Sequence, residues 1–164
     1  MSDKIVIRHA AASDLDTLAA IEAASYPPEE GASRSSIQGR LAVYPEYFWL
    51  CDEDGTVSSF VNGFVTDEPD LTDEMYDTPA MHNPNGVWQM IFSVVTAPEY
   101  RHSGRASMVL KQVICDAKAQ GRKGVVLTCK DKLLPFYSQF GFVNEGVSNS
   151  VHGGAVWYQM RLTF

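Results

Sequence analysis

Residues 100–106, Tyr-Arg-His-Ser-Gly-Arg-Ala, have the composition of an anion-binding loop. The chain before them predicts a strand, and apolar residues after Gly104 recur at helical spacing, so a helix should begin here. The first amides of a helix lack intrahelical partners, and its dipole favours negative charge at that end. Gly104 and Ala106 leave room for a phosphate, and Arg101 and Arg105 add positive charge. The spacing alone is typical either of a pyrophosphate-binding loop or of a plain surface loop with two arginines.

Other motifs of nucleotide and metal chemistry do not occur in the sequence. It has no GxGxxG, and no Lys-Ser or Lys-Thr pair follows Gly104, which disfavours a dinucleotide-binding fold and a P-loop. Cys51, Cys115 and Cys129 are odd in number, far apart and set in apolar stretches. We therefore predict three buried free thiols, with no disulfide and no metal site.

Charge and composition limit the partners. The chain has 164 residues, with 13 Lys and Arg against 20 Asp and Glu, a net charge of −7. This balance argues against nucleic acid and against an anionic membrane, because both need a basic surface. It suits a cationic ligand or simple solubility. The first residues lead directly into a predicted strand, and no apolar run could span a bilayer, so we expect no signal peptide and a cytoplasmic protein.

The loop must be held by the elements around it, which the sequence predicts in the order β-α-α-β-β-β-α-β-α-β. We expect them to form a single domain over residues 1–164. The amphipathic helix after Gly104 should end at a cap on Gly121, and a helix capped by Ser13 should end near Ser25. A third helix should follow Ser33. The other predicted segments are a strand at 5–8, a hairpin of 48–51 with 57–66, a long acidic functional or mobile loop at 67–86, a central strand at 87–96, a strand at 125–127, a helix at 133–140 and a final strand at 155–162.

Two motifs resemble those of one enzyme family, the GCN5-related N-acetyltransferases (GNAT). Residues 101–106 match its R/Q-x-x-G-x-G/A signature, and residues 133–142 are similar to its FYxxxGF segment. The order of the elements is also similar, so the resemblance covers essentially the whole chain. It implies an α/β fold with a mixed, mostly antiparallel central sheet, flanked by helices and splayed at an acetyl-CoA site.

Within the family the chain is most similar to the arylalkylamine (serotonin) N-acetyltransferases, at residues 26–30, 127–131 and 135–137. This resemblance implies acetyl transfer from acetyl-CoA to a primary amine. The residues it assigns to the co-substrate are Val94, Val95 and Thr96 for the pantetheine arm and Arg101, His102, Ser103, Gly104, Arg105 and Ala106 for the pyrophosphate. No metal is implied.

The resemblance also assigns the chemistry. Tyr137 would protonate the CoA thiolate, and we favour this role over that of a core aromatic that only packs. Met90 and Phe92 stand where the animal enzymes carry a pair of histidines, which makes them pocket lining and leaves the usual base missing. The amine would be covered by the loop that holds Tyr26, Pro27, Glu29 and Glu30.

Three sources remain open for the base: Glu29 or Glu30 through water, His82, or water alone. We interpret His9 and His152 as structural or surface residues. The alternatives for the function are a polyamine or aliphatic amine acetyltransferase, an acyl-CoA-binding protein with impaired catalysis, and acetylation of proteins. Direct transfer requires no cysteine nucleophile. The sequence leaves the monomer and the homodimer equally open.

Overall fold

The computed structural model describes residues 4–164, which form five α-helices and nine strands. The residues before Lys4, on which the expectation about a signal peptide partly rests, lie outside this range. The helices are α1 (Leu15–Ser25), α2 (Arg34–Val43), α3 (Asp73–Asp77), α4 (Arg105–Ala119) and α5 (Leu134–Ser138). The strands are β1 (Ile5–His9), β2 (Phe48–Glu53), β3 (Thr56–Asn62), β4 (Val65–Thr66), β5 (Trp88–Met90), β6 (Ser93–Thr96), β7 (Gly124–Cys129), β8 (Val143–Val147) and β9 (Tyr158–Thr163).

The chain divides into two compact units. The first contains the described residues through Gly63 together with Ser93–Val113, and the second contains Phe64–Phe92 with Ile114–Phe164. In the first unit, four antiparallel strands form a sheet in the order β1-β2-β3-β6. In the second, the order is β4-β5-β7-β9-β8, and only β5 and β7 run parallel.

Helices α1 and α2 belong to the first unit, and the sequence predicted both. Helix α2 begins after Ser33, whose hydroxyl accepts the Ser36 N–H at 3.1 Å. The predicted cap of α1 at Ser13 is wrong, because a 3₁₀ turn over Ala12–Asp14 precedes the helix. There the Asp14 carboxylate accepts the Ala11 N–H at 2.7 Å and pairs with Arg8.

Helix α4 contributes residues 105–113 to the first unit and residues 114–119 to the second. Its predicted apolar stripe is buried at Val109, Leu110, Val113 and Ala117. The cap predicted at its end is confirmed: Gly121 has φ +79°, and its N–H bonds the Lys118 carbonyl at 3.0 Å.

Four predicted elements need correction, and one strand was missed. The strand predicted at 57–66 divides into β3 and β4, which belong to different sheets. The central strand predicted at 87–96 is two strands, because β5 pairs with β7 and β6 pairs with β3, with a break at Ile91 and Phe92. The acidic loop at 67–86 contains α3 and a 3₁₀ turn. The last strand begins only at Tyr158, after a 3₁₀ turn over His152–Gly154. Strand β8 was missed because it is an exposed edge without an alternating apolar pattern.

The cysteines and the helices bear on two further expectations. Cys51 and Cys129 are buried free thiols as predicted, whereas Cys115 is exposed on α4 because it lies outside the buried stripe. None of the helices within residues 4–164 is long and apolar enough to cross a membrane.

Candidate active site

The loop before α4 presents free backbone donors. His102 and Gly104 have φ of +62° and +78°, which bends the chain into the start of the helix. The first helical bond there runs from Met108 N–H to the Gly104 carbonyl at 3.1 Å. Over the part of the chain that the structure describes, the amides of residues 102–107 donate to no backbone carbonyl. A Cβ built on Gly104 meets no atom within 4 Å, so the loop is open to a ligand.

The two arginines that the sequence assigned to this anion site are already paired. Arg101 donates to the Thr96 carbonyl at 3.2 Å and to the Ala24 carbonyl at 3.0 Å, which ties the loop to the end of α1. Arg105 forms a bidentate pair with Glu53 of β2, at 2.9 and 2.8 Å. This pairing lowers the pKa of the Glu53 carboxyl. The arginines therefore fix the loop in place, and its open donors are the backbone amides.

Strand β6 is the edge of its sheet, which leaves one row of its backbone groups unpaired within that sheet. Val94 stands opposite Val61, and the Ala97 N–H bonds the Ser58 carbonyl at 2.8 Å. By the alternation of an antiparallel pair, Val95 then bonds to β3, while the N–H and C=O of Val94 point to the open edge. The Thr96 carbonyl on the same edge accepts from Arg101.

The connection between α1 and α2 is a compact turn. The amides of Glu30 and Gly31 both bond the Pro27 carbonyl, at 2.9 and 3.0 Å. Tyr26 and Glu30 are half-buried, whereas Glu29 is exposed. Below the turn, Glu22 of α1 accepts the Ala32 N–H at 3.0 Å.

Sequence reasoning missed Glu22, although a signal was present. Leu15 and Leu18 are seven and four residues before it, which places Glu22 on the buried stripe of α1. It is 2% exposed, and its second oxygen, Oε1, is buried without a hydrogen-bond partner in residues 4–164. Burial raises the pKa of this carboxyl, and the opposing effects of Ala32, Arg40 and Ser93 are smaller.

In the second unit, Tyr137 lies on α5 and is 6% exposed. Its ring packs edge-on against Phe136 and Phe142, with centroids at 5.0 and 5.9 Å. Burial raises the pKa of this phenol well above its usual range, and Cys129 and Tyr76 raise it further. The hydroxyl is therefore protonated throughout the physiological range, and burial also makes it a weaker acid.

Met90 and Phe92 are both buried, as expected for apolar lining residues. Phe92 packs against Phe64 at 5.0 Å and against Tyr76 at 4.7 Å. The Tyr76 hydroxyl lies 3.2 Å from that of Thr128 on β7. Tyr76 was not singled out from the sequence, because α3 lies in a segment interpreted as a loop.

Three histidines have structural contacts. His82 Nδ1 accepts the Val65 N–H at 3.1 Å, so that nitrogen is already occupied. His152 Nε2 lies 3.2 Å from Asp73 Oδ1, and its ring packs edge-on against Tyr76 at 4.3 Å. His9 Nδ1 lies 3.2 Å from the Phe48 carbonyl.

The acidic segment lines part of a cavity of about 440 Å³ in the second unit, formed by residues 70–73 and 145–149 and by Gln159. Its carboxylates are engaged: Arg161 pairs with Asp70 and with Glu145, each at 2.9 Å. Asp73 accepts from the Ser150 hydroxyl at 2.6 Å. Within the described residues, no group of three or more His, Cys, Asp or Glu is arranged to hold a metal ion.

The fold and the loop define a class of protein. The chain belongs to the acetyltransferase (GNAT) family, whose model matches residues 15–142. The α/β GNAT fold expected from the sequence is confirmed, with a mostly antiparallel arrangement of strands flanked by helices.

Particular relatives can be named. Serotonin N-acetyltransferase from Mesocricetus auratus is 27% identical over 122 residues, which are 74% of this chain and 58% of that protein. The chain thus spans little more than half the length of this curated relative. The solved structure of the GphF GNAT-like decarboxylase in complex with isobutyryl-CoA has a TM-score of 0.83 at 21% identity, covering 96% of this chain and 98% of that one. The PaiA N-acetyltransferase of Thermoplasma acidophilum, in complex with coenzyme A, has a TM-score of 0.71 at 17% identity, covering 98% and 99%.

Proposed function

We propose that this protein is an acetyl-CoA-dependent N-acetyltransferase that acts on a primary amine, with a small arylalkylamine as the preferred substrate class. The observation that carries the proposal is the row of amides at residues 102–107, at the start of α4, which donate to no backbone carbonyl within residues 4–164. Such a row binds phosphate groups through the backbone and needs no free cationic side chain. The solved relatives that hold CoA or isobutyryl-CoA support the same co-substrate.

The proposed roles are given for one unit at a time. From the first, the amides of residues 102–106 hold the pyrophosphate, and the open edge of Val94–Thr96 binds the pantetheine arm as an added strand would. The Val94 N–H donates to the thioester oxygen as negative charge develops on it. From the second, the buried Tyr137 hydroxyl donates its proton to the departing thiolate.

For the acceptor, Tyr26, Pro27, Glu29 and Glu30 cover the amine, and Met90 and Phe92 contribute apolar lining. The proposal of an arylalkylamine rests on the similarity to serotonin N-acetyltransferase and on the rings around Phe92. We also propose a cytoplasmic location, since free thiols persist in reducing compartments.

A thiol-release assay tests the function. Acetyl-CoA is supplied with matched panels of arylalkylamines, aliphatic amines and polyamines, and CoA binding is measured by calorimetry. We expect turnover with the primary amines and the highest kcat/KM for an arylalkylamine. A higher kcat/KM for spermidine-like amines than for arylalkylamines would change the proposed substrate class to polyamines. CoA binding without turnover of any amine would overturn the proposal of an enzyme and favour an acyl-CoA-binding protein.

A further inference from the structure

Glu22 is an unusual group to find under the α1–α2 connection. Its Oε2 accepts from the Ala32 N–H at 3.0 Å and from the Ser93 hydroxyl at 3.2 Å, while the buried Oε1 accepts from no described residue. A buried carboxylate with an unused oxygen costs stability, because nothing replaces the water it has lost. Such an arrangement is typical of a group retained for chemistry.

The position of Ser93 links this carboxylate to the proposed acetyl site. Ser93 directly precedes Val94 on β6, and its side chain is buried toward α1. A hydroxyl carries one proton and two lone pairs, so Ser93 can donate to Glu22 and accept a proton from an amine at the same time.

The surroundings of Glu22 contain few charges. From α2, the Arg40 guanidinium favours the ionised carboxylate, and the same guanidinium bonds the neutral Asn62 of β3 at 3.0 Å. Tyr44, which follows α2, is buried, and its raised pKa keeps it neutral. Ser93 from β6 and the Ala32 amide contribute hydrogen bonds and do not titrate.

We propose that Glu22 accepts the proton of the amine through the Ser93 hydroxyl, an inference that rests on the proposed function. The amine nitrogen bonds to the acetyl carbon, and the carbon–sulfur bond breaks. The N–H proton passes to Ser93 Oγ as the proton of Ser93 passes to Glu22. The thiolate takes the Tyr137 proton, and solvent later returns a proton from Glu22 to the tyrosinate. The products are the acetamide and the CoA thiol.

The other candidate bases fit this role less well. Glu29 is exposed to solvent, and His82 uses Nδ1 to hold the Val65 amide. Met90 and Phe92, where the family resemblance puts imidazoles, have no basic atom. Glu22 combines burial, an unused oxygen and a hydroxyl contact to the strand that should bind the thioester.

The test compares Glu22→Gln with the wild type across pH. Glutamine has nearly the same shape and still accepts the Ala32 and Ser93 hydrogen bonds, but it cannot take a proton. We expect kcat to fall roughly 10²-fold near neutral pH while the KM for acetyl-CoA stays constant. The wild-type-to-variant ratio of kcat should shrink toward one as the pH falls through the raised pKa of Glu22, because the wild-type carboxyl then also carries a proton.

Two variants and one control complete the experiment. Ser93→Ala removes only the connecting hydroxyl and should reproduce the loss of kcat with the same pH dependence. Glu22→Asp keeps a carboxylate on a shorter side chain and should restore part of the rate. Asp16→Asn serves as the control on the same helix, because Asp16 is exposed and forms an ion pair with Arg34 of α2, at 2.7 Å. It should leave kcat and its pH profile unchanged.

The outcomes separate the inference from the function. If the wild type releases thiol but Glu22→Gln keeps full kcat, or loses it by the same factor at every pH, Glu22 is only structural and the inference is overturned. If the wild type turns over no amine, the proposed function fails first and the inference with it.

Discussion

Burial shifts the pKa of single side chains in this protein because it disfavours their charged form. It raises the pKa of Glu22 in the first unit and that of Tyr137 in the second. The consequences differ, because the carboxyl becomes a stronger base, while the phenol becomes a weaker acid that stays protonated at every physiological pH. Sequence reasoning found Tyr137 through a motif, whereas Glu22 needed the contacts of α1 to distinguish it from the surface carboxylates.

At the residue scale, Tyr137→Phe removes one hydroxyl from a packed aromatic site. The ring contacts with Phe136 and Phe142 remain, so the fold and acetyl-CoA binding should be preserved. We expect kcat to drop roughly 10²-fold, the usual effect of losing a general acid. Steady-state kinetics checks this, with the half-buried Tyr158→Phe of β9 as the control. Full kcat in Tyr137→Phe would make Tyr137 a packing residue.

At the scale of elements, helix α4 has a glycine in the left-handed conformation next to each of its ends. Gly104 directly precedes the helix, and Gly121 follows its end. Their φ angles are +78° and +79°, and a Cβ at either one meets no atom within 4 Å. Local strain at the two positions is therefore matched, and only their proposed roles differ. The Arg105–Glu53 pair fixes the first end to β2.

Gly104→Val should therefore be compared with Gly121→Val. Each places a β-branched residue in the left-handed region and should cost on the order of 1–2 kcal/mol of stability. Only Gly104→Val puts side-chain atoms where the pyrophosphate should lie, so it alone should weaken acetyl-CoA binding, by about tenfold or more. Calorimetry on both folded variants measures this difference. Equal affinities would show that the loop does not bind the co-substrate.

At the scale of the whole molecule, two units share one continuous helix. The expectation of a single domain over residues 1–164 remains a prediction, and α4 supplies its physical reason, because it contributes Arg105–Val113 to one unit and the residues from Ile114 onward to the other. Because the helix is continuous across the boundary, we expect the two units to unfold together.

Acetyl-CoA should shift that transition as a whole. At one hundred times its Kd, a ligand specific for the native state adds about 2.7 kcal/mol. For a chain of this size the midpoint should rise by roughly 5–11 °C. Scanning calorimetry with and without acetyl-CoA should show one peak that moves. At the same ligand concentration, a Gly104→Val variant with tenfold weaker binding should show only about half of the wild-type shift. Two peaks, only one of which responds to the ligand, would contradict the single domain.

The sequence by itself determined the features that depend on neighbours along the chain. The loop at residues 101–106, the helix after Ser33, the apolar stripe of α4 and the Gly121 cap all follow from residue types at fixed spacing, and the structure contains each of them. The family follows from the same local signals. Local spacing predicts these features because turns, caps and helix faces are set within a few residues.

Only the tertiary structure decided which distant groups meet. It divided the segment at 87–96 between two sheets, paired Arg105 with Glu53 fifty-two residues away, and brought Ser93 to Glu22 across seventy-one residues. No periodicity encodes such pairs, because their partners are chosen by packing and by the need of each buried polar atom for a hydrogen bond. The pKa of Glu22 is therefore a property of the folded chain, because burial raises it. The spacing of apolar residues in α1 indicates that burial only in part.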